Sequence, residues 1–207
     1  MKIANLFRLA RRAIRHLTVE RSYEPSYPLD RWEKDWAGRY DLDVPKEDGH
    51  YGVLLALLRR YDRGGPILDA GCGDGLLEHL FRPLSASRML AFDYSQAAVD
   101  RALARGLPGC EFFRADSRYY QPGELCSIVI LNESLYYIED CLGVMRNLSR
   151  GLKPDGVLIV SMYDTLINRR IWKALGRSYA RLQGVAVRDE GTGVLWHIRV
   201  LRPRAEP

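Results

Sequence analysis

Short apolar segments alternate with amphipathic segments from residue 46 onward, and this alternation restricts the possible folds more than any other feature of the chain. The apolar segments predict strands, and the amphipathic segments, whose apolar residues recur at helical spacing, predict helices. Strands that alternate with helices build a parallel sheet with right-handed crossovers. The predicted strands are 66–71, 88–93, 110–116, 126–132 and 156–162, and the predicted helices are 46–61, 76–84, 95–106, 137–152 and 165–182.

The last part of the chain departs from the alternation. Residues 184–190 and 194–201 are rich in apolar residues and flank the turn sequence GTG, so they predict a closing hairpin. The sequence as a whole therefore predicts an α/β fold, a doubly wound, Rossmann-like and mostly parallel sheet. Ligands of such sheets bind at the carboxyl ends of the strands.

The chain is predicted to divide at residue 45 into an N-terminal segment, 1–45, which contains a basic amphipathic helix and an aromatic lid segment, and the main domain, 46–207. Within the N-terminal segment, residues 2–18 combine an apolar stripe with several arginines and predict an amphipathic helix. Such a helix can bind an anionic membrane surface, or it can pack on the domain with its arginines in solvent. We see no signal-peptide pattern and no membrane-spanning stretch, so we expect a cytoplasmic protein, with peripheral contact at the inner membrane face as an open alternative.

The net charge and the cysteines indicate which binding partners and which cellular redox environment the chain favours. The chain of 207 residues carries a net charge of +5, which favours acidic partners without choosing among nucleic acid, anionic lipid and acidic substrates. None of the cysteines has paired metal-ligand spacing, so we expect no metal, and a reducing cytoplasm is the simplest setting. The four cysteines are Cys72, Cys110, Cys126 and Cys141.

Acidic and amide side chains follow four successive predicted strands. In order, these side chains are Asp69, Asp93, Asp116 and the pair Asn132 and Glu133. Asp and Asn are common at strand ends and helix caps, which explains any one placement but explains four in succession poorly. The carboxyl edge of the sheet is therefore the predicted binding site.

The sequence of the loop after the first strand, GCGDGLLEH, narrows the classes of ligand that the site can bind. A phosphate-binding loop of the GxxxxGK[ST] type uses a lysine, and its absence here argues against a triphosphate. The pattern is DxGxGxG rather than the dinucleotide fingerprint GxGxxG, although Asp93 supplies an acid at the end of the second strand. An acid there can accept both hydroxyls of an adenosine ribose, and Asp69 suits a cationic ligand. S-adenosylmethionine meets these requirements and carries no phosphate.

Several segments, in this order, resemble class I S-adenosylmethionine-dependent methyltransferases over about residues 46–203. They are the ILDAGCGDG loop, the acid that ends the second strand, the AD pair that ends the third, and LKPDG before the fifth. The resemblance implies a seven-stranded sheet whose last strand runs antiparallel in the final hairpin. It also implies S-adenosylmethionine as cofactor and S-adenosylhomocysteine as product.

The resemblance also implies roles for individual residues. The loop backbone lies near the methionyl part, the acid of the second strand binds the ribose, the acid of the third contacts the adenine amino group, and the residues after the fourth lie beneath the donor methyl. The cofactor-binding residues implied in this way are Asp69, Gly71, Cys72, Gly73, Asp93, Tyr94, Asp116, Ser117 and Asn132.

Shorter segments point to an acceptor. LNESLYYIED, 131–140, resembles a stretch of nodulation-protein S-like N-methyltransferases, which act on an aminosugar oligosaccharide. That segment, 161–165 and 196–203 also resemble methyltransferases from polysaccharide and glycan gene clusters. These resemblances imply a sugar or glycolipid substrate.

Glu133, Tyr137 and His197 are the candidate catalytic residues, because an oxygen acceptor usually needs a general base. Glu133 either faces the acceptor or is a helix N-terminal acid stabilised by the helix dipole. Tyr137 either holds the acceptor or belongs to the core, and His197 lies in an apolar strand where a structural role is the alternative. His50, at the start of a predicted helix, belongs either to a lid or to the surface.

Aromatic residues are frequent in DRWEKDWAGRYDLD, 30–43. In related enzymes such a segment closes over the cofactor, so Trp32, Trp36 and Tyr40 are candidate substrate-pocket residues, together with Tyr136. The alternative is that the aromatic residues of this segment bury against the sheet edge.

Three functions stay open. The leading hypothesis is a methyltransferase that acts on an oxygen or nitrogen of a sugar, glycolipid or other small molecule. The second is a nucleic-acid methyltransferase, which the arginine-rich segment 165–182 allows, although NESLYY lacks the [DN]PP[YFW] pattern of amino-methylating nucleic-acid enzymes. The third is a non-catalytic S-adenosylmethionine-binding partner of another enzyme.

Overall fold

A computed structural model describes residues 28–38, 48–85 and 87–204 of the chain. The predicted helix 2–18, most of the N-terminal segment and Tyr40 lie outside the described residues. The helices and strands are α1 (Leu29–Ala37), α2 (Asp48–Tyr61), β1 (Ile67–Ala70), α3 (Leu76–Phe81), β2 (Met89–Asp93), α4 (Gln96–Ala104), β3 (Cys110–Arg114), β4 (Cys126–Asn132), α5 (Cys141–Ser149), β5 (Leu152–Tyr163), α6 (Leu166–Ser178), β6 (Tyr179–Arg188) and β7 (Leu195–Pro203).

Seven strands form one sheet in the order β3-β2-β1-β4-β5-β7-β6. Strands β1 to β5 pair in parallel, and β7 runs antiparallel between β5 and β6. The order reverses at β1, so the carboxyl ends of β1 and β4 flank the switch point where open α/β sheets bind ligands. This topology confirms the predicted fold class.

Strand β4 shows how the sheet divides the core in two. Ile128 and Ile130 pack with side chains of α2 and α3 on one face. Val129 and Leu131 pack with side chains of α5 and α6 on the other. A strand that is covered on both faces needs apolar residues throughout, which is why the buried residues from Ile128 to Leu131 are all aliphatic.

Several predicted helix boundaries are wrong. The helix predicted over 165–182 ends at Ser178, because the residues from Tyr179 onward pair with β7 in the hairpin. The helix predicted over 137–152 begins only at Cys141, where the Asp140 side chain accepts a hydrogen bond from the Gly143 N–H. Residues Leu135–Tyr137 instead form a short 3₁₀ turn.

Strand β5 is longer than predicted and begins at Leu152, with Pro154 inside it. The short helix α3 stops at Phe81 and continues as a 3₁₀ turn, Arg82–Leu84. None of the helices in the described ranges has the length and apolar character needed to cross a membrane.

Candidate functional site

A cavity of about 500 Å³ lies at the carboxyl edge of the sheet. We call the part formed by Gly71, Gly73, Asp93 and Asp116 the loop side, and the part formed by Asn132, Glu133, Tyr136 and Tyr137 the β4 side. The sequence-predicted residues that line the cavity are Trp32, Trp36, Gly71, Cys72, Gly73, Asp93, Tyr94, Asp116, Ser117, Asn132, Glu133, Tyr136 and Tyr137. Asp69 and His197 are not among its lining residues.

Glycines bring the loop backbone to the cavity wall. Gly71 and Gly73 have φ angles of +90° and +57°, which favour glycine. A Cβ on Gly71 would lie 2.5 Å from the Cβ of Ser134, and one on Gly73 would lie 2.9 Å from the Trp36 ring. The loop therefore exposes bare backbone to the cavity, as its sequence predicted.

Asp93 ties the loop to the second strand. Its Oδ2 accepts a hydrogen bond from the Gly73 N–H at 3.0 Å, and its Oδ1 accepts one from the Ser95 N–H at 2.9 Å. Burial raises the pKa of Asp93, although these backbone donors oppose the shift. The carboxyl group thus orients the loop and faces the cavity at once.

Asp69, one of the cofactor-binding residues implied by the resemblance, is not among the residues that line the cavity. Its side chain is 1% exposed and lies beside Glu78 of α3, which is fully buried. Burial and the neighbouring Glu78 carboxyl raise the pKa of Asp69 well above its ordinary value, and burial raises the pKa of Glu78 to about 7. Glu78 was not among the predicted residues, although it shares the inner face of a helix with Leu76, Leu77 and Phe81.

Asp116 is paired with a cation. Burial opposes its ionisation, but hydrogen bonds from Arg118 outweigh burial and lower the pKa of Asp116. The Arg118 guanidinium lies 2.6 Å from the carboxylate and also stands over the Tyr94 ring. Arg118 was not predicted either, although it follows the AD pair by two positions.

Glu133 lies at the end of β4 with a φ of +53°, the one positive value among the described non-glycine residues. Its carboxylate accepts hydrogen bonds from the Ser161 hydroxyl at 2.8 Å and from the Tyr136 hydroxyl at 3.0 Å. The helix that follows begins only at Cys141, so a helix-dipole role for Glu133 has no support here. Burial and the Glu133 charge raise the pKa of Tyr136 well above its ordinary value, so its phenol stays a donor.

His50 is neither a lid nor a surface residue. It is 1% exposed, its Nε2 lies 2.7 Å from the Ser161 Oγ, and its ring stacks on Trp196 at a centroid distance of 5.1 Å. Burial lowers the pKa of His50 to about 3, so the ring is neutral at neutral pH. The sequence offered no signal for this contact, because His50 and Ser161 are 111 positions apart.

His197 lies away from the cavity, so the structure does not support its predicted catalytic role. Trp196 and Ile198 point to the buried face of β7, and His197 points to the other face because side chains alternate along a strand. There its Nε2 is 3.3 Å from a carboxylate oxygen of Asp164, which also pairs with Arg169.

Helix α1 covers the cavity, and its aromatic residues combine the two roles that the sequence left open, pocket lining and burial. Trp36 is 5% exposed and packs over Gly73, while Trp32 meets Tyr137 edge-to-face at 4.9 Å. Both tryptophans line the cavity. Glu33, which was not predicted from the sequence, anchors the helix.

The anchor is a set of hydrogen bonds at the start of α4. The Glu33 carboxylate accepts from the backbone N–H groups of Gln96 and Ala97 at 2.8 and 3.0 Å, and from the Ser95 hydroxyl at 2.9 Å. Burial opposes ionisation of Glu33, but these donors outweigh it and lower the pKa of Glu33. A carboxylate at a helix N-terminus is also stabilised by the helix dipole.

A seven-stranded Rossmann-like sheet with a cavity at its switch point, a glycine loop after β1 and an acid ending β2 defines the class I methyltransferase fold. The chain matches a family model described as "Methyltransferase domain" over residues 50–200, which is most of its length, and it belongs to that family.

Two curated relatives are trans-aconitate 2-methyltransferases. The chain is 33% identical over 123 residues to that of Acidovorax sp. (strain JS42), covering 58% of this chain and 47% of the relative. It is 35% identical over 134 residues to that of Escherichia fergusonii, covering 63% of this chain and 52% of the relative. The chain thus spans about half the length of the curated relatives it matches.

Solved structures share the fold. The N-methyltransferase NodS from Bradyrhizobium japonicum WM9, in complex with S-adenosyl-L-homocysteine, aligns with a TM-score of 0.72 and 19% identity over 85% of this chain and 98% of NodS. A methyltransferase from Geobacter sulfurreducens, in complex with the same molecule, aligns with a TM-score of 0.67 and 15% identity over 87% of this chain and all (100%) of the other. The resemblance to nodulation protein S is confirmed at the level of the fold.

Proposed function

We propose that this protein is an S-adenosylmethionine-dependent methyltransferase that acts on a small-molecule acceptor and releases S-adenosylhomocysteine. The observation that carries the proposal is one cavity whose loop side offers bare backbone and carboxylates while its β4 side offers a carboxylate and aromatic rings. When bound, S-adenosylmethionine supplies a methyl group already activated on a sulfonium. The task of the protein is then to hold, orient and shield the reactants.

The loop side fits the cofactor. Each Asp93 carboxylate oxygen accepts one backbone N–H and keeps further acceptor capacity for a ribose hydroxyl. A Cβ on Gly71 or Gly73 would collide with its neighbours, so only a glycine loop leaves backbone open to the methionyl part. The Asn132 Oδ1 is buried without a hydrogen-bond partner among the described residues and suits a cationic donor such as the methionyl ammonium.

The finer proposal is that the acceptor is a sugar or glycolipid, methylated on an oxygen or nitrogen. The rings of Trp32, Tyr137 and Tyr163 give the cavity flat apolar faces, and Glu133 and Glu139 supply acceptors for hydroxyl groups. Sites for small molecules combine such apolar walls with a few polar groups that fix orientation. The glycan-type resemblance of residues 131–140 supports the same acceptor class.

A nucleic-acid acceptor has less support. The acidic residues that line the cavity would repel a phosphate backbone, which nucleic-acid enzymes attract with basic side chains. The cytoplasmic location, the peripheral membrane contact through residues 2–18 and the division of the chain at residue 45 stay predictions.

The test is transfer of labelled methyl from S-adenosylmethionine into an extract of the source cell, split into lipid, polysaccharide, small-molecule, protein and nucleic-acid pools. We expect label in the polysaccharide, glycolipid or small-molecule pool. Asp93→Asn should abolish transfer, whereas Asp100→Asn, which changes an exposed carboxylate on α4, should leave it intact.

Label confined to RNA or DNA would overturn the acceptor proposal. Absence of label from every pool, with S-adenosylmethionine binding intact in calorimetry, would favour the non-catalytic alternative.

A further inference from the structure

A chain of hydrogen bonds runs from the β4 side of the cavity into the protein interior. One Glu133 oxygen accepts from the Ser161 hydroxyl at 2.8 Å, and the other accepts from the Tyr136 hydroxyl at 3.0 Å. Behind them the Ser161 Oγ lies 2.7 Å from the Nε2 of His50. Ser161 and His50 are both buried, at 0% and 1% exposure, so water does not compete for these bonds.

The chemistry of the four groups sets the direction of every bond in the chain. A carboxylate only accepts, so Ser161 and Tyr136 each give their single hydroxyl proton to Glu133. The Ser161 oxygen must then accept from His50, which places the His50 proton on Nε2. The His50 Nδ1 accordingly carries a lone pair, and that atom is buried with no partner in the described ranges.

Holding this arrangement has a cost, which argues that it is not incidental. Glu133 has left-handed backbone, which costs a non-glycine residue about 1–2 kcal/mol. The buried, unpaired Nδ1 of His50 costs about 1–3 kcal/mol more. Strained residues of this kind cluster at functional sites, where the surrounding structure over-determines them.

We propose that His50 and Ser161 position the Glu133 carboxylate as the proton acceptor of the reaction, so that the substrate is methylated on an amine nitrogen or a hydroxyl oxygen and not on a carboxylate. This inference rests on the proposed function. Glu133 is the catalytic residue, because it lines the cavity, and His50 and Ser161 act through it.

The charges around the cavity favour the same substrates. Among the described residues its charged lining consists of Asp93, Asp116, Glu133, Glu139 and Arg118. Arg118 is held by Asp116 at 2.6 Å, so its charge is already matched. A polycarboxylate would meet uncompensated repulsion here, whereas an amine or a neutral hydroxyl compound would not. The chain therefore differs in substrate class from its trans-aconitate-methylating relatives.

The step balances without any further reagent. The acceptor lone pair forms the new bond to the methyl carbon, the carbon–sulfur pair stays on sulfur, and the acceptor proton moves to a Glu133 oxygen and then to solvent. A carboxylate acceptor would have no proton to lose, so its methylation would not need Glu133 as a proton acceptor.

The first test measures variants on the labelled pool of the source-cell extract. Glu133→Gln should lower the rate at saturating pool by about 100-fold, within the range for loss of a general base. His50→Phe keeps the stacked ring but removes the donor, and should lower that rate by about tenfold. His50→Gln, which retains a donor, should recover most of it.

If His50 only positions Glu133, His50→Phe should bind both reactants almost normally. The concentration of acceptor pool that gives half the maximal rate, and the Kd for S-adenosylmethionine, should each change less than about twofold. His79→Phe, at an exposed histidine on α3, is the matched control and should behave as wild type. Wild-type rates in both His50→Phe and Ser161→Ala would overturn the proposal. A nitrogen-15 spectrum with the His50 proton on Nδ1 would overturn it independently of activity.

The second test asks where the methyl group sits. Mild alkali releases a methyl ester as volatile methanol but leaves an ether or an N-methyl group in place. Label that survives alkali supports the proposal. Label released as methanol overturns it while leaving the methyltransferase function intact, and absence of any label overturns the proposed function itself.

Discussion

The loop side and the β4 side of the cavity both present carboxylates at the ends of parallel strands, but they are built in different ways. On the loop side, Asp93 bonds to Ser95, two positions further along the chain, and to Gly73 in the loop that follows the adjacent strand β1. On the β4 side, Glu133 bonds to Ser161 of the adjacent strand β5, and Ser161 in turn bonds to His50 of α2, 111 positions away along the chain. A local motif can therefore reveal the ligand class, whereas the chemistry at the acceptor depends on distant contacts.

Each side also rests on a buried titratable group, and the two groups oppose each other in pH dependence. Beneath the loop side, burial raises the pKa of Glu78 to about 7. Behind the β4 side, burial lowers the pKa of His50 to about 3. Folding therefore favours the protonated carboxyl on one side and the neutral imidazole on the other.

The largest expected effect is on the pH dependence of stability through His50. The unfolded ring gains its proton near pH 6.5 while the folded ring resists until about pH 3, so its contribution is present above pH 6.5 and is lost as the pH falls. At 1.36 kcal/mol per unit this amounts to about 3 kcal/mol between pH 7 and pH 4. His50→Phe should flatten this part of the profile in urea unfolding.

His79→Gln, at an exposed position, is the control and should keep the wild-type slope. If the free energy of unfolding falls equally with decreasing pH in wild type and in His50→Phe, the buried ring does not cause the loss of stability in acid. The predicted opposite pH dependence of the two sides would then not hold for the β4 side.

Gly71→Ala addresses the loop side. The new Cβ would lie 2.5 Å from that of Ser134, at a φ of +90°. We expect the loop to shift and S-adenosylmethionine affinity to fall by about 100-fold, or about 2.7 kcal/mol. Calorimetry measures the change, with Gly52→Ala, whose Cβ would meet nothing within 4 Å, as the control. Equal affinity in both variants would mean that bare backbone is not what the cofactor requires.

Glu78→Gln tests the opposite slope. The folded carboxyl holds its proton up to about pH 7 and the unfolded one loses it near pH 4.5, so stability falls as the pH rises between these values. The amide of the variant cannot titrate. The free energy of unfolding of the wild type, minus that of Glu78→Gln, should therefore fall by about 2 kcal/mol from pH 5 to pH 7. A difference that is constant or rises with pH would contradict the shared burial of Asp69 and Glu78.

The same division explains what the sequence could predict. The glycine loop and Asp93 were recognisable because adjacent residues and successive strand ends encode them. Glu33, Glu78 and Ser161 were missed, because each acts through a partner that only the packing of separate elements brings near. His50 was assigned to a lid or the surface because nothing nearby in sequence signals that Trp196 covers it.

Helix α6 was predicted too long for a related reason. Its amphipathic pattern continues past Ser178, but pairing of Tyr179 with β7 outweighs helix propensity there. Local periodicity identified the elements, and tertiary pairing decided where they end.

The smallest effects should separate the two sides through helix α1. Trp36 packs over Gly73 and Trp32 packs on Tyr137, so one helix touches both sides. Trp36→Ala should weaken S-adenosylmethionine binding by about tenfold, or about 1.4 kcal/mol, through loss of support for the loop. Trp32→Ala should leave that affinity unchanged and instead raise the acceptor concentration needed for half-maximal rate.

Calorimetry with S-adenosylmethionine and the labelled-pool assay measure the two effects separately, and circular dichroism checks that both variants fold. If both substitutions weaken cofactor binding equally, α1 closes as one unit and the two sides are not independent. If Trp36→Ala changes neither cofactor nor acceptor binding, its ring is only a core residue beneath the helix. The predicted result, a cofactor effect for Trp36→Ala and an acceptor effect for Trp32→Ala, requires that each tryptophan act through the neighbour it touches.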